Sequence, residues 1–168
     1  MSKKGLIGLS ILFLLLYIAP LNVRPVNSPD EARYGEIARE MLTTGDFIVP
    51  RLNGLRYFEK PVLGYWLNAA SMTLFGDNGF AIRFPSALAV GLTALTIFLM
   101  VLRFYKSDRT ALLAAFIYLT FVGVYGVGTI CILDSLLTFF LTAMLACLFI
   151  AGNNKSLRRR NRWLLLSG

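Results

Sequence analysis

Asp30, Lys60 and Asp134 are the residues whose type and setting point to chemistry. Asp30 stands beside Glu31 at an expected helix start, Lys60 stands just ahead of Pro61, and Asp134 stands between the apolar stretch 129–133 and a longer apolar run. A lysine ahead of a helix start combines a positive charge with free backbone N–H groups and suits a phosphate; the competing reading is a lysine snorkelling at a membrane boundary. Asp30 and Glu31 offset the helix dipole. At about 100° per residue both also fall on the half of the helix shared with Tyr34 and Met41, which turns toward membrane or protein interior. Carboxylates there are costly unless paired or used. An ionisable residue in Asp134's setting is a functional candidate, or else caps a helix starting at Ser135. Arg33, Arg51 and Arg56 either join an anion site or are solvated and helix-paired. Tyr17, Tyr57, Phe58, Tyr65 and Trp66 read as interfacial aromatics, with Tyr34 and Tyr57 also placed to touch a phosphate or sugar.

The elements that must position these residues belong to a membrane protein. Hydrophobic residues make up 57% of the 168-residue chain. Apolar runs at 5–21, 86–102, 110–126 and 135–151 each approach the ~20 residues of a spanning helix, so about four crossings are expected. The first run is long for a signal peptide and no small-residue cleavage site follows, so it reads as an uncleaved anchor. The formal charge is +8, but segment 22–85 is neutral, with seven acids against seven bases. The excess sits at Lys3 and Lys4, at Arg103, Lys106 and Arg109, and in the basic loop 153–162. This is the positive-inside pattern of cytoplasmic loops. It excludes nucleic acid as the partner, places both chain ends inside, and puts segment 22–85 and the turn before Asp134 outside. With no His and two Cys in apolar sequence, neither metal nor disulfide is expected.

Within segment 22–85, Ser28-Pro29-Asp30-Glu31 has the form of a capping box, so a helix is expected from Pro29 to about Thr43, closed by Gly45. Its apolar stripe is Tyr34, Ile37, Ala38 and Met41, and lying on the outer membrane surface fits that pattern. A second interfacial helix is expected from Pro61 to Phe75, ending at Gly76. Another apolar segment opens at Trp163, so the stop at Gly168 reads as an interruption.

The stretches Pro29-Asp30-Glu31-Ala32-Arg33-Tyr34-Gly35-Glu36-Ile37-Ala38-Arg39-Glu40, Gly45-Asp46-Phe47-Ile48-Val49-Pro50 and Tyr57-Phe58-Glu59-Lys60-Pro61-Val62-Leu63-Gly64-Tyr65-Trp66 resemble the aminoarabinose transferases of lipid A. These belong to the protein O-mannosyltransferase-like superfamily. The resemblance implies the N-terminal part of an all-α integral membrane glycosyltransferase of GT-C type. Its implied donor is an undecaprenyl-phosphate-linked sugar, its acceptor lipid A, and its location the bacterial inner membrane with the active face periplasmic. It implies Asp30 as the catalytic carboxylate and Asp134 as a second acid. Lys60, Arg33, Tyr34 and Tyr57 are similar to the set that holds the carrier phosphate, with Glu31 and Glu59 in supporting places. No cofactor or metal is implied. The alternatives are a relative that glycosylates protein or another lipid, and a membrane fragment without activity. A transporter fits less well, because the acids gather in an external segment and not at mid-membrane.

Overall fold

The computed structural model describes residues 3–26, 29–154 and 157–167. Helix α1 (Lys3–Phe13) continues through a π turn (Leu14–Ile18) and a 3-10 turn (Ala19–Asn22). Then follow α2 (Asp30–Thr44), a hairpin of β1 (Arg51–Leu52) and β2 (Leu55–Arg56), α3 (Val62–Phe75), α4 (Gly79–Tyr105), α5 (Asp108–Thr120), α6 (Val122–Gly128), α7 (Asp134–Gly152) and α8 (Leu157–Leu166). Three helical stretches are long and apolar enough to cross a membrane: Lys4–Asn22, Gly79–Tyr105 and Asp134–Gly152. Together α5 and α6 make a fourth if counted as one broken span. Large apolar side chains on these helices face outward, among them Leu15, Leu95, Leu99, Ile117 and Leu145. In lipid that outward face is the favourable one. The chain is a multi-pass, predominantly helical membrane protein.

Two expected spans differ from the helices observed. Helix α4 begins at Gly79 and not at Ser86, so it carries both Arg83 and Pro85 in its first turns. A proline inside a helix leaves the carbonyl four residues earlier without its partner. Here that carbonyl belongs to Ala81, and the Ser71 hydroxyl donates to it at 2.6 Å. The run expected at 110–126 is broken at Phe121, whose extended backbone (φ −70°, ψ 124°) sets α5 and α6 64° apart. The basic stretch expected as a loop at 153–162 is largely the start of α8; Lys155 and the side chains of Arg158 and Arg159 lie outside the described residues.

Helix α2 is closed by its C-cap Gly45, and α3 lies between its caps Pro61 and Gly76. The α2 stripe packs on protein and not on lipid. Tyr34, Ile37, Ala38 and Met41 form one core with Tyr65, Ala69 and Met72 of α3, Ala81 and Ile82 of α4, and Cys131. Ser28 lies outside the described residues; the N-cap position is Pro29, which makes no side-chain cap. The hairpin that leads from α2 to α3 turns at Asn53 (φ 53°) and Gly54 (φ 77°). Both residues have positive φ, which Asn-Gly tolerates and most pairs do not. The Glu40 carboxylate accepts both turn amides, tying the hairpin back onto α2.

Candidate functional site

Asp30 is the first residue of α2, Lys60 precedes the N-cap of α3, and Asp134 is the first residue of α7. Two of these helix starts, those of α3 and α7, meet at one cavity. Lys60 and Asp134 line a shared cavity of about 330 Å³ with Pro61, Leu63, Gly64, Leu133, Leu136, Leu137 and Phe140. Both charged residues are exposed, and among the described residues neither side chain has an ion-pair or hydrogen-bond partner. Asp134 makes no side-chain cap on α7. Gly64 lets the two elements close on one another: a Cβ at that position would collide with the Leu133 side chain. Past Leu136 and Phe140 the cavity meets an apolar groove of about 310 Å³ between α3, α4 and α7.

On the α2 side, Asp30, Arg33, Tyr57 and Glu59 form a polar relay. Arg33 donates from Nη1 to the Tyr57 oxygen at 3.1 Å, and the Tyr57 hydroxyl donates to Glu59 Oε2 at 2.6 Å. Arg33 Nη1 also lies 3.9 Å from both Asp30 and Glu59. The hydrogen bond to Glu59 holds the Tyr57 phenol above its ordinary pKa, with burial adding to the effect. Burial likewise raises the Tyr34 phenol, helped by the negative fields of Asp30 and Asp134. Both tyrosines are therefore neutral hydroxyls at pH 7. Glu59 is the chain neighbour of Lys60, so the relay adjoins the Lys60 cavity. Arg51, at the start of β1, pairs with Asp46 at 3.6 Å and not with this cluster.

The expectation that Asp30 and Glu31 share the buried half of α2 holds for one of them. The Asp30 side chain is 57% exposed, whereas Glu31 is 3% exposed and bound. The Glu31 carboxylate accepts from Arg83 Nε at 2.7 Å and Nη2 at 2.9 Å, from the Cys131 amide at 3.0 Å and from Arg24 at 3.3 Å. Arg83 also donates to the carbonyls of Leu21 (2.6 Å), Arg24 (3.0 Å) and Pro25 (2.8 Å). Every one of its five N–H groups is thereby used. Arg24 in turn donates to the Thr129 carbonyl at 2.7 Å. This lock ties the chain after the first span to α2, α4 and the segment leading to Asp134. Arg83 was not singled out from sequence; its signal was a cation between apolar Ala81, Ile82 and Phe84.

With this geometry in place, the kinship of the chain can be read. Residues 3–168 match the family described as dolichyl-phosphate-mannose-protein mannosyltransferase. The chain belongs to that family. It is 49% identical over 161 residues to the undecaprenyl phosphate-alpha-4-amino-4-deoxy-L-arabinose arabinosyl transferase of Aeromonas hydrophila subsp. hydrophila, covering 96% of this chain and 29% of that protein. The protein of the same name from Pectobacterium carotovorum subsp. carotovorum is 53% identical over 148 residues, covering 85% and 27%. The crystal structure of ArnT from Cupriavidus metallidurans in the apo state superposes with a TM-score of 0.91 at 26% identity, covering 99% of this chain and 31% of that one. The structure of the same protein bound to undecaprenyl phosphate gives a TM-score of 0.83 at 27% identity. Family membership thus rests on nearly the whole chain, while the chain spans only 29% of the length of the Aeromonas relative.

Proposed function

We propose that this chain supplies the donor-site end of a membrane glycosyltransferase that moves 4-amino-4-deoxy-L-arabinose from undecaprenyl phosphate to a phosphate of lipid A. The reaction takes place at the periplasmic face of the bacterial inner membrane. The observation that supports the reading is the meeting of Lys60 and Asp134, each at a helix start, in a cavity that adjoins an apolar groove, with Asp30 in the Arg33–Tyr57–Glu59 relay next along the chain from Lys60. The names of the relatives support it. A phosphate head and a polyprenyl tail match a cavity that is charged at one end and apolar at the other.

In this reaction the bond between the anomeric carbon and the carrier phosphate oxygen breaks, and the oxygen keeps the electron pair. An acceptor phosphate oxygen forms the new bond to that carbon. Lys60 and Arg33 hold the leaving phosphate and stabilise the charge that grows on it, an interaction stronger in the transition state than before it. A phosphate with a second pKa near about 6 is already anionic at neutral pH, so no strong general base is required. Exposed Asp30 faces positive charge developing on the sugar and orients the acceptor. Asp134, unpaired at the cavity wall, takes the ammonium group of the sugar.

The test uses a transferase of the relatives' full length carrying these residues. Lys60→Ala and Asp30→Asn each lower aminoarabinose transfer by ~10²-fold or more at matched protein abundance, read by mass spectrometry of lipid A. Unchanged lipid A modification in both variants would defeat the proposal. The family description favours protein as a second acceptor class. Sugar found on protein and not on lipid A, in the same spectra, would establish that reading instead.

A further inference from the structure

Arg51 and Arg56 stand directly opposite one another across the hairpin of β1 and β2. The Tyr57 amide donates to the Pro50 carbonyl at 2.8 Å, which makes 50 and 57 a hydrogen-bonded pair. Bonded and non-bonded pairs alternate along an antiparallel ladder, so Arg51 and Arg56 form a non-bonded pair, the kind in which side chains stand closest. Leu52 and Tyr57 belong to the opposite face of the hairpin and pack against the core of α2 and α3, so the arginine face is turned away from that core. Like charges directly opposite one another destabilise a strand pair. The repulsion is relieved in part: Asp46 lies 3.6 Å from Arg51 and also accepts the Ile48 and Val49 amides. Among the described residues the Arg56 side chain has no ion-pair or hydrogen-bond partner, and the Glu40 carboxylate that reaches the hairpin is spent on the turn amides. Around the pair the chain is apolar and open, with Ile48, Leu55 and Phe58 at 83%, 75% and 67% exposure. Two guanidiniums with one counter-charge, set among exposed apolar side chains, suit an amphiphile with a phosphate head.

We infer that the face of the hairpin carrying Arg51 and Arg56 binds a phosphate of the lipid A acceptor, the one that does not receive the sugar. The inference rests on the function proposed above and deepens it by giving the acceptor a second point of attachment. Lipid A is a disaccharide with a phosphate at each end, so while one phosphate meets the reacting carbon the other lies a disaccharide's length away. Arg56 precedes Lys60 by four positions, which span at most ~14 Å of extended chain. A phosphate held between the two guanidiniums turns their mutual repulsion into attraction to a shared anion. Replacing Arg56 by an acid should consequently move hairpin stability and acceptor binding in opposite directions.

The experiment compares wild type, Arg56→Glu and Lys60→Ala in a transferase of the relatives' full length. Melting temperature in detergent is measured first, then KM for the sugar donor, then KM for lipid A carrying both phosphates and for lipid A carrying one. Arg56→Glu sets opposite charges across the hairpin, so it is expected to melt at or above the wild-type temperature. Its KM for two-phosphate lipid A should rise ~10-fold, and the donor KM should not follow. Wild type should lose a similar factor on passing to one-phosphate lipid A, whereas Arg56→Glu should treat the two acceptors alike. An unchanged acceptor KM in Arg56→Glu would make the pair a solvated surface feature and overturn the inference. So would a preference for the two-phosphate acceptor that survives in Arg56→Glu, which would place the second phosphate elsewhere. A lowered melting temperature with donor and acceptor KM raised together would make the hairpin structural and overturn it as well. If Lys60→Ala keeps the wild-type donor KM, the donor-site reading has failed, while the acceptor comparison in Arg56→Glu still decides this inference by itself.

Discussion

Glu31 and Arg83, 52 positions apart, form a bidentate ion pair with Nε to Oε1 at 2.7 Å and Nη2 to Oε2 at 2.9 Å, wholly inside the protein. The pair adjoins the site without touching the cavity. Glu31 follows Asp30 directly, and its Oε1 also takes the Cys131 amide, in the segment that ends at Asp134. One carboxylate therefore sets the relative position of two helix starts that carry the candidate acids.

Removing one partner of a buried pair leaves the other charge uncompensated, so Arg83→Met should destabilise by ~3–5 kcal/mol. The double variant Glu31→Leu/Arg83→Met should be more stable than Arg83→Met alone. Melting temperatures of the four proteins in detergent complete the cycle. Additive effects of the two substitutions would show that the pair is not coupled. Arg83→Lys should fail to restore stability, because an ammonium offers three donors where Arg83 uses five.

Gly64→Ala should push Leu133 away from α3 and disturb the cavity that Lys60 and Asp134 share. An overpacked methyl of this kind costs ~1–3 kcal/mol. Since the collision is with a side chain and not with backbone, adding Leu133→Ala should recover donor affinity that Gly64→Ala loses. No recovery in the double variant would locate the defect elsewhere in α3.

If Asp134 holds the sugar ammonium, acetylating that nitrogen should weaken donor use by wild-type enzyme ~10-fold, the usual scale for one charge-assisted contact. In Asp134→Asn the gap between free-amine and acetylated donors should narrow. Steady-state rates with both donors give the comparison. An undiminished preference in the variant would remove Asp134 from this role.

Glu36 and Asp46 bring a pH dependence to the outer face of α2 and the loop after it. The Arg39 hydrogen bonds hold the Glu36 carboxyl below its ordinary pKa of 4.5, and the Val49 and Ile48 amides hold Asp46 below 3.8. A carboxyl with a depressed folded pKa contributes stability above its unfolded value and loses it as pH falls through the folded one. Protection of the Ile48 and Val49 amides from hydrogen exchange, corrected for intrinsic rates, should therefore drop as pH falls below about 4. Asp46→Asn should show reduced protection at neutral pH and a flat profile. Persistence of the acid-dependent step in that variant would assign it to another group.

Local chemistry was legible in the chain where the governing forces are local. Gly45 and Gly76 close α2 and α3, Pro61 opens α3, and the Tyr34–Met41 stripe is buried, because caps and periodicity act within a turn or two. The hairpin at Asn53-Gly54 is equally local, since its turn rests on two adjacent residues with positive φ. Charge counting along the chain separated the neutral segment 22–85 from the basic ends. What tertiary structure decided is the division of labour between adjacent acids. Asp30 is exposed and Glu31 is locked, since Arg83 and the Cys131 amide approach Glu31 from 52 and 100 positions away. No helical projection contains such partners. Likewise the Ala81 carbonyl, which Pro85 leaves without its helical donor, is satisfied by Ser71 on another helix. The hydroxyl of Tyr65, orphaned among the described residues, belongs to the same long-range packing, in which hydrogen-bond partners are chosen by proximity in space.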